Sequence, residues 1–434
     1  MKFKPLWLDA PAPRPFAAVS RVGRQLEGKI MILTLLRVWA LAALGLAAAA
    51  GAVVPAQRET DGYTRYELLA PGSGTFRILY EISAVAPGAR AYCNPIRPGS
   101  VASDERVTDR ATGRPLAWRV VDGTAAATDC GVRDAAGMRF IEVTLARPVA
   151  AAGGEARLLI EKTYADPKSY FTTGAGDIVF DRPLGVKRNA VLLPAGYVLV
   201  SSNYPAQILE DGGRLLVSFW NVTPAEAPLR IVARRGETGV AAAARPLGGE
   251  MERAHQSRNI VYYLGPPETH SFALTHDYTE TRVGTDHYVN IVRAGSAVAN
   301  PSAVNLDTSE TIPFTMIAGE AVKRAEPEAA DVGPDTHAVL FRFRPVGAGE
   351  SLRLRIAETY TDAGRYRLQA DGTLLWERSL GRAENAVVLP AGWIPVESNM
   401  PCTVETQPDG RLRLTYMNPR PDELAVRLVA RRVR

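Results

Sequence analysis

The chain is poor in the residues that carry most enzymatic chemistry. Its 434 residues include three cysteines, Cys93, Cys130 and Cys402, and no two stand in a C-x-x-C pair. That spacing excludes zinc clusters and thioredoxin-type redox sites. The five histidines, His255, His270, His276, His287 and His337, all lie late in the chain, so the first 254 residues lack the commonest general base. His276-Asp277 and Asp286-His287 fall in neighbouring predicted strands, but their eleven-residue spacing fits no metal-ligand pattern. No metal and no other cofactor is expected. G-x-S-x-G, H-E-x-x-H, P-loop and helix-opening G-x-G-x-x-G motifs are missing. No long segment outside the N-terminal leader has helical period.

Net charge is also missing from most of the chain. The totals are 51 basic and 46 acidic side chains. Residues 1–56 hold seven basic and two acidic ones, which is the whole excess; the remainder carries 44 of each. A neutral body offers no broad electrostatic footprint to nucleic acid or to an anionic membrane. Nucleic acid is therefore not expected as a partner, and a membrane is expected only through the leader.

What is present is self-similarity, which governs every other reading. Residues 180–205, FDRPLGVKRNAVLLPAGYVLVSSNYP, recur as residues 376–401, WERSLGRAENAVVLPAGWIPVESNMP, at a constant offset of 196. The copies keep Arg182/Arg378, Asn189/Asn385, Asn203/Asn399 and the run Leu193-Pro194-Ala195-Gly196, matched by Leu389-Pro390-Ala391-Gly392. The offset holds upstream at Tyr66/Tyr262, Phe76/Phe272, Tyr92/Tyr288, Asn94/Asn290, Trp118/Phe314 and Tyr164/Tyr360. It slips locally near Pro148/Pro345 and becomes 197 at Gly213/Gly410. The chain reads as a tandem duplication: a leader over 1–56, a first repeat over 60–235, a linker over 236–258 and a second repeat over 259–432.

Alternation is the dominant local pattern. TFRILYEIS (75–83), FIEVTL (140–145) and RLLIEKTY (157–164) have the period-two signature of strands. Asp211-Gly212-Gly213 and Pro408-Asp409-Gly410 are hairpin signals. The Leu-Pro-Ala-Gly runs read as two short strands around a turn that places Gly196 and Gly392 at positive φ. Trp118 and Phe314 are expected in the core. The stretches 122–137 and 319–334 read as surface loops, and 236–258, rich in Gly, Ala and charge, as a structureless linker. The expected fold is all-β: two tandem homologous β-sandwich domains, immunoglobulin-like or jelly-roll-like, after an N-terminal signal or anchor helix.

The leader contains an unbroken alanine-rich apolar run at 38–54, with Ala50-Gly51-Ala52 and Val54-Pro55-Ala56 as candidate cleavage sites. Met31 is an alternative start. The run is marginal in length for a spanning helix. The expectation is a cleaved signal and a periplasmic or secreted protein, with membrane anchoring by residues 38–54 as the alternative. In such a compartment Cys93 and Cys130 are expected to form a disulfide. Cys402 aligns with Ala206 and is expected to be a small buried hydrophobe.

The candidate binding residues are Tyr92, Asn94 and Arg97, repeated as Tyr288, Asn290 and Arg293, with Ser100 and Ser296 closing each motif. The spacing puts Tyr and Asn on one strand face and Arg in the loop that follows. A ring, an amide and a guanidinium can bind a sugar or carboxylate by stacking and bidentate hydrogen bonds; they can equally build a capped turn. Arg182/Arg378 beside Asp181/Glu377 read as local ion pairs, with an anion site as the alternative. No catalytic residue is singled out. The expected function is an exported, non-catalytic binding or structural module of a bacterial-type cell envelope, recognising a glycan, peptide or protein partner. The alternative is an envelope-polymer hydrolase with a carboxylate site between the domains.

Overall fold

The computed structural model describes residues 54–236, 252–330 and 332–433. The leader expected over 1–56 therefore lies outside the described residues except for 54–56, and so does 237–251 of the expected linker. Among the described residues no helix is long and apolar enough to cross a membrane.

The first half runs through β1 (Glu59–Leu68), β2 (Thr75–Ala84), β3 (Ala91–Ile96), β4 (Val101–Asp109), β5 (Trp118–Asp122), helix α1 (Gly123–Cys130), β6 (Arg139–Thr144), β7 (Ala156–Ala165), β8 (Tyr170–Thr172), β9 (Ile178–Leu184), β10 (Arg188–Leu192), β11 (Tyr197–Ser202), β12 (Gln207–Asp211), β13 (Arg214–Trp220) and β14 (Ala227–Arg235). The second half runs through β15 (Asn259–Leu264), β16 (Ser271–Glu280), β17 (His287–Ile291), β18 (Ala297–Asn305), β19 (Thr311–Ile312), β20 (Phe314–Ala318), helix α2 (Glu320–Ala325), β21 (His337–Arg342), β22 (Leu352–Thr361), β23 (Tyr366–Leu368), β24 (Leu374–Leu380), β25 (Glu384–Val388), β26 (Trp393–Ser398), β27 (Thr403–Thr406), β28 (Leu412–Met417) and β29 (Leu424–Arg432).

Each half has one long sheet and two small ones. The long sheet of the first half has the order β12-β13-β10-β1-β2-β7-β4; its small sheets are β11-β14-β9-β8 and β3-β6-β5. The second half has β27-β28-β25-β15-β16-β22-β18 with β19 added at the edge, and small sheets β26-β29-β24-β23 and β17-β21-β20. The strand orders correspond term by term. In each half the central pair, β1 with β10 and β15 with β25, is parallel. The chain is thus all-β and built as β-sandwiches.

Alternation explains why these segments form strands. In β2, Phe76, Ile78, Tyr80 and Ile82 all point inward and are buried, while the residues between them are more open. Fully burying such a side chain contributes about 1.5–3 kcal/mol. The first-half core is one continuous cluster reaching from Val107, Ile160 and Ile141 under one small sheet to Phe180, Val217 and Ile231 under the other. In the second half it is split in two, one cluster around Tyr366, Trp376 and Leu428 and one around Val339, Phe341 and Leu354.

Several sequence expectations change. The Leu-Pro-Ala-Gly turns do lie between two short strands, and because β10 is in the long sheet and β11 in a small one, each carries the chain from one layer to the other. Both glycines take positive φ, 76° at Gly196 and 77° at Gly392, and Leu193 and Leu389 are fully buried. Asp211-Gly212-Gly213 does join a hairpin, β12 to β13. Trp118 and Phe314 are not core residues; they are 37% and 44% exposed because β5 and β20 are edge strands of the small sheets. The stretch 122–137 contains α1, whose alanines favour helix without any amphipathic pattern. Asp122 caps it through Ala125 N–H at 2.9 Å, and Gly131 ends it in the left-handed region. Cys93 and Cys130 are bonded, with Cα atoms 5.9 Å apart, tying α1 to β3. Cys402 is half-buried against the second-half core rather than enclosed by it.

The end of the expected linker is not loose. Residues 253–255 form a single 3₁₀ turn packed on the first half. The buried Glu252 accepts hydrogen bonds from the Tyr63 and Ser218 hydroxyls, at 2.7 and 2.8 Å. Arg188 donates to the carbonyls of Ala254 and Gln256, and Arg253 to those of Asn418 and Gly381. Buried polar groups need partners, and this segment supplies them to both halves.

The halves meet through buried arginines at equivalent positions. Arg157 makes a two-pronged pair with Asp307, both contacts 2.7 Å, and donates to Ser351. Arg353 donates to Ser257 and Thr279 and lies 3.5 Å from Asp61 and 3.9 Å from Glu155. The backbones approach so closely that a Cβ on Gly113 would stand 2.3 Å from the Gly349 carbonyl oxygen.

Candidate functional site

The two small sheets of the first half leave a gap between them on the face of the long sheet. The gap is a cleft of about 980 Å³. Its floor is β1, β2 and β7; one wall is β3 with the loop after it; the other is the end of β9 and the loop leading to β10. Asn259 and Glu384 also line it.

Tyr92, Asn94 and Arg97 all line this cleft, as the strand-then-loop spacing anticipates. Their roles differ from the simple picture of a stacking platform. Tyr92 is 1% exposed, its ring belongs to the core, and its hydroxyl donates to Glu59. Tyr80 donates to the other oxygen of the same carboxylate, at 3.1 Å. Asn94 is buried and its side-chain oxygen accepts from Lys162 Nζ. Arg97 donates through its guanidinium to the Pro183 carbonyl and through its backbone N–H to the Tyr164 hydroxyl, both 3.2 Å. Ser100 closes the motif by donating to Asp166.

Further cations line the cleft, among them Arg182, expected as an ion pair or anion site, and Lys162, which the spacing did not single out. Arg182 pairs with Asp166 at 2.7 Å, not with its neighbour Asp181, which pairs with Arg230. Its guanidinium also lies over Phe76 and Tyr164, 5.4 and 5.5 Å from the ring centres. Lys162 is 4% exposed, yet among the described residues it makes one hydrogen bond, to Asn94, and no ion pair. Its Nζ sits 5.0 Å from the Tyr164 ring centre. Burial, with the Arg182 charge, pushes its amine down to about 7; Glu105 opposes the shift. The sequence did carry a signal. Leu158, Ile160, Lys162 and Tyr164 alternate on one face of β7, so a lysine stands where the pattern calls for a core residue.

The second-half counterparts are arranged differently. Tyr288 reaches His276 Nδ1 at 3.4 Å. Asn290 donates to Glu358 at 2.5 Å and to the Tyr360 hydroxyl at 3.2 Å. Glu358 occupies the position of Lys162, so the charge there is reversed. Burial pushes its carboxyl up, opposed by the Asn290 and Tyr360 hydrogen bonds. Arg293 lies 3.7 Å from Glu423, and Arg378 3.9 Å from Asp362. Glu377 pairs with Arg367 and Arg427, not with Arg378. A second cleft of about 680 Å³ does open in this half, but beside His287, Arg282 and Arg382; of the motif it takes in Tyr288 alone.

The carboxylates between the halves are engaged. Asp307 meets Arg157, Asp61 meets Arg188 and Arg353, Asp277 meets Arg355, and Glu81 meets His255. Asp307 and, at 3.5 Å, Asp61 reach an arginine of the other half; the remaining pairs lie within a half or reach the segment before β15.

No protein-family model and no curated protein matches the sequence. Among solved structures, the chain resembles a two-domain M1 zinc metallopeptidase variant bound to L-tryptophan, at 14% identity and TM-score 0.27, over 46% of this chain and 54% of that one. It resembles an M1 zinc metallopeptidase from Deinococcus radiodurans at 15% identity and TM-score 0.26, over 41% of this chain and 42% of that one. It also resembles the collagen adhesin CNA of S. aureus at 9% identity and TM-score 0.15, over 75% of this chain and 86% of that one. The chain thus spans about half the length of the peptidases it matches. Overlaps this shallow transfer no activity.

Proposed function

We propose that the protein is an exported, non-catalytic binding module of a bacterial-type cell envelope that recognises a glycan, peptide or protein partner through the cleft of its first half. One observation carries the reading. The cleft gathers Tyr92, Asn94 and Arg97 around Lys162, a buried amine that makes no ion pair among the described residues. A concave site with a few convergent polar groups is the usual form of a ligand pocket. Export rests on the apolar, small-residue leader and on the Cys93–Cys130 bond, which suits an oxidising compartment. The hydrolase alternative gains no comparable support, because the acids between the halves are held by arginine and histidine.

The test is capture of envelope peptides and oligosaccharides by the full chain and by its Arg97→Ala and Arg293→Ala variants. Arg97→Ala should weaken capture at least tenfold and leave thermal unfolding nearly unchanged. Arg293→Ala should leave both unchanged. Loss of capture that only tracks loss of stability would end the reading.

A further inference from the structure

We propose that the first-half cleft takes a carboxylate-bearing ligand, with Lys162 as the charge anchor and the Asn94 amide beside it, and that the second half fills the same place with a carboxyl of its own, Glu358. The inference rests on the reading of the cleft as a binding site and names the ligand class.

The argument runs from charge and equivalence. A buried ammonium is costly unless something offsets it. The other buried cations that line the cleft, Arg182 and Arg188, have Asp166 and Asp61; Arg97 has the Pro183 carbonyl. Lys162 has an amide oxygen and the face of Tyr164. An ammonium has three donors, and one is used within the protein. Four acids line the same cleft, and none pairs with Lys162 among the described residues: Glu59 takes both tyrosine hydroxyls, Asp61 takes Arg188, Glu384 lies 3.8 Å from Arg413, and Glu226 makes no ion pair with Lys162.

The second half indicates which anion fits. Asn290 and Tyr360, the equivalents of Asn94 and Tyr164, close on a carboxyl group, with Arg378 stacked over Tyr360 as Arg182 is over Tyr164. This environment accepts a planar carboxyl when the chain supplies one. With lysine in place of Glu358, the carboxylate has to come from outside. The charged and titratable groups around Lys162 are Arg182 from β9, Glu105 from β4, Arg97 after β3, Tyr66 and Tyr80 from β1 and β2, and Tyr164 on its own strand. Lys162 is the cation among them brought near neutrality, to about 7. A bound anion raises its pKa, so binding takes up a proton. Affinity is full below the free value and falls as pH rises through and above it.

The chain has seven lysines, so the ¹³Cε signals of the labelled full-length protein can be separated and Lys162 assigned from Lys162→Met. The probes are N-acetyl-alanine, its neutral amide N-acetyl-alaninamide, and inorganic phosphate. The expected result is a Lys162 titration moved to higher pH by N-acetyl-alanine alone, with affinity about tenfold lower at pH 8.5 than at pH 6. Lys162→Glu, which copies the second half, should keep the fold and lose the effect. Equal response to acid and amide overturns the carboxylate class while leaving the binding reading intact. Response to phosphate alone overturns it in favour of another anion. If no probe moves Lys162 while Arg97-dependent capture persists, the inference falls and the reading of the cleft stands.

Discussion

The two halves have corresponding strand orders and differ at several inward positions, one of which reverses charge between β7 and β22. On β7 the residue facing the gap between the small sheets is Lys162; on β22 it is Glu358. Around Lys162 the gap is an open cleft of about 980 Å³, and its tyrosines join the hydrophobic core into one cluster. Around Glu358 the amide of Asn290 closes on the carboxyl, and the core is divided in two. The layers are kept while the charge at this position and the lining around it, such as Tyr80 against His276, both change. The second difference is a staple: α1 is fastened to β3 by Cys93–Cys130, and α2 has no such bond.

The largest way to disturb the comparison is at the contact between the halves. Asp307→Ala leaves Arg157 buried without its anion and should cost about 3–5 kcal/mol in urea unfolding. Arg157 and Arg353 are equivalent in position but not in partners. Asp307 bonds Arg157 in two prongs, whereas Glu155 stands 3.9 Å from Arg353, so Glu155→Gln should cost less. Equal costs would mean that the two arginines do equivalent jobs.

Next comes the staple. Closing the 37-residue loop between Cys93 and Cys130 should contribute roughly 3–4 kcal/mol by restricting the unfolded chain. Unfolding followed with and without reductant measures it. The loss should appear in the first half, as amide-exchange protection lost from β3, β5 and β6, with β17, β20 and β21 unaffected.

Lys162 itself gives a pH-dependent difference. Its folded pKa lies below the unfolded value of 10.5, at about 7, so the unfolded chain binds more protons between those values. Stability should therefore rise with pH from 7 to about 10. Lys162→Met should be more stable than the parent at pH 7, and the gap should close toward pH 10. A constant gap would mean that Lys162 stays charged in the folded protein.

The smallest effect is at Glu81–His255. Hydrogen bonding and charge from Glu81 raise the His255 pKa above 6.5, against the effect of burial. The pair's contribution is full below 6.5 and is lost as pH rises through the folded value. With 36% and 26% of the two side chains exposed, it should be below about 1 kcal/mol. His255→Gln should remove the step. Asp277, the counterpart of Glu81, pairs with Arg355 and should show no such step near neutral pH.

Much of this was legible in the sequence. The period-two runs located the strands, and the constant offset placed Tyr92, Asn94 and Arg97 opposite Tyr288, Asn290 and Arg293. What was not legible depends on layers. The Leu-Pro-Ala-Gly run is legible as a turn between two strands, but local chemistry cannot say that the next strand joins another sheet. Trp118 and Phe314 read as core on hydrophobicity, but they stand on edge strands. Glu252 and Arg253 read as linker on composition, and only the buried hydroxyls of Tyr63 and Ser218 and the carbonyl of Asn418 show why they are ordered. Lys162 was not singled out, although Leu158, Ile160 and Tyr164 alternate with it on one face, and their burial in the structure fixes its direction.

The most direct test is a charge exchange read by one titration. N-acetyl-alanine is titrated at pH 6 into the parent chain, Lys162→Glu, Glu358→Lys and the double exchange, and cleft resonances of both halves are followed. The account predicts binding in the first half of the parent, loss of at least tenfold in affinity in Lys162→Glu, and binding transferred to the second half in the double exchange. First-half binding that survives Lys162→Glu, or parent binding that appears equally in both halves, would contradict it.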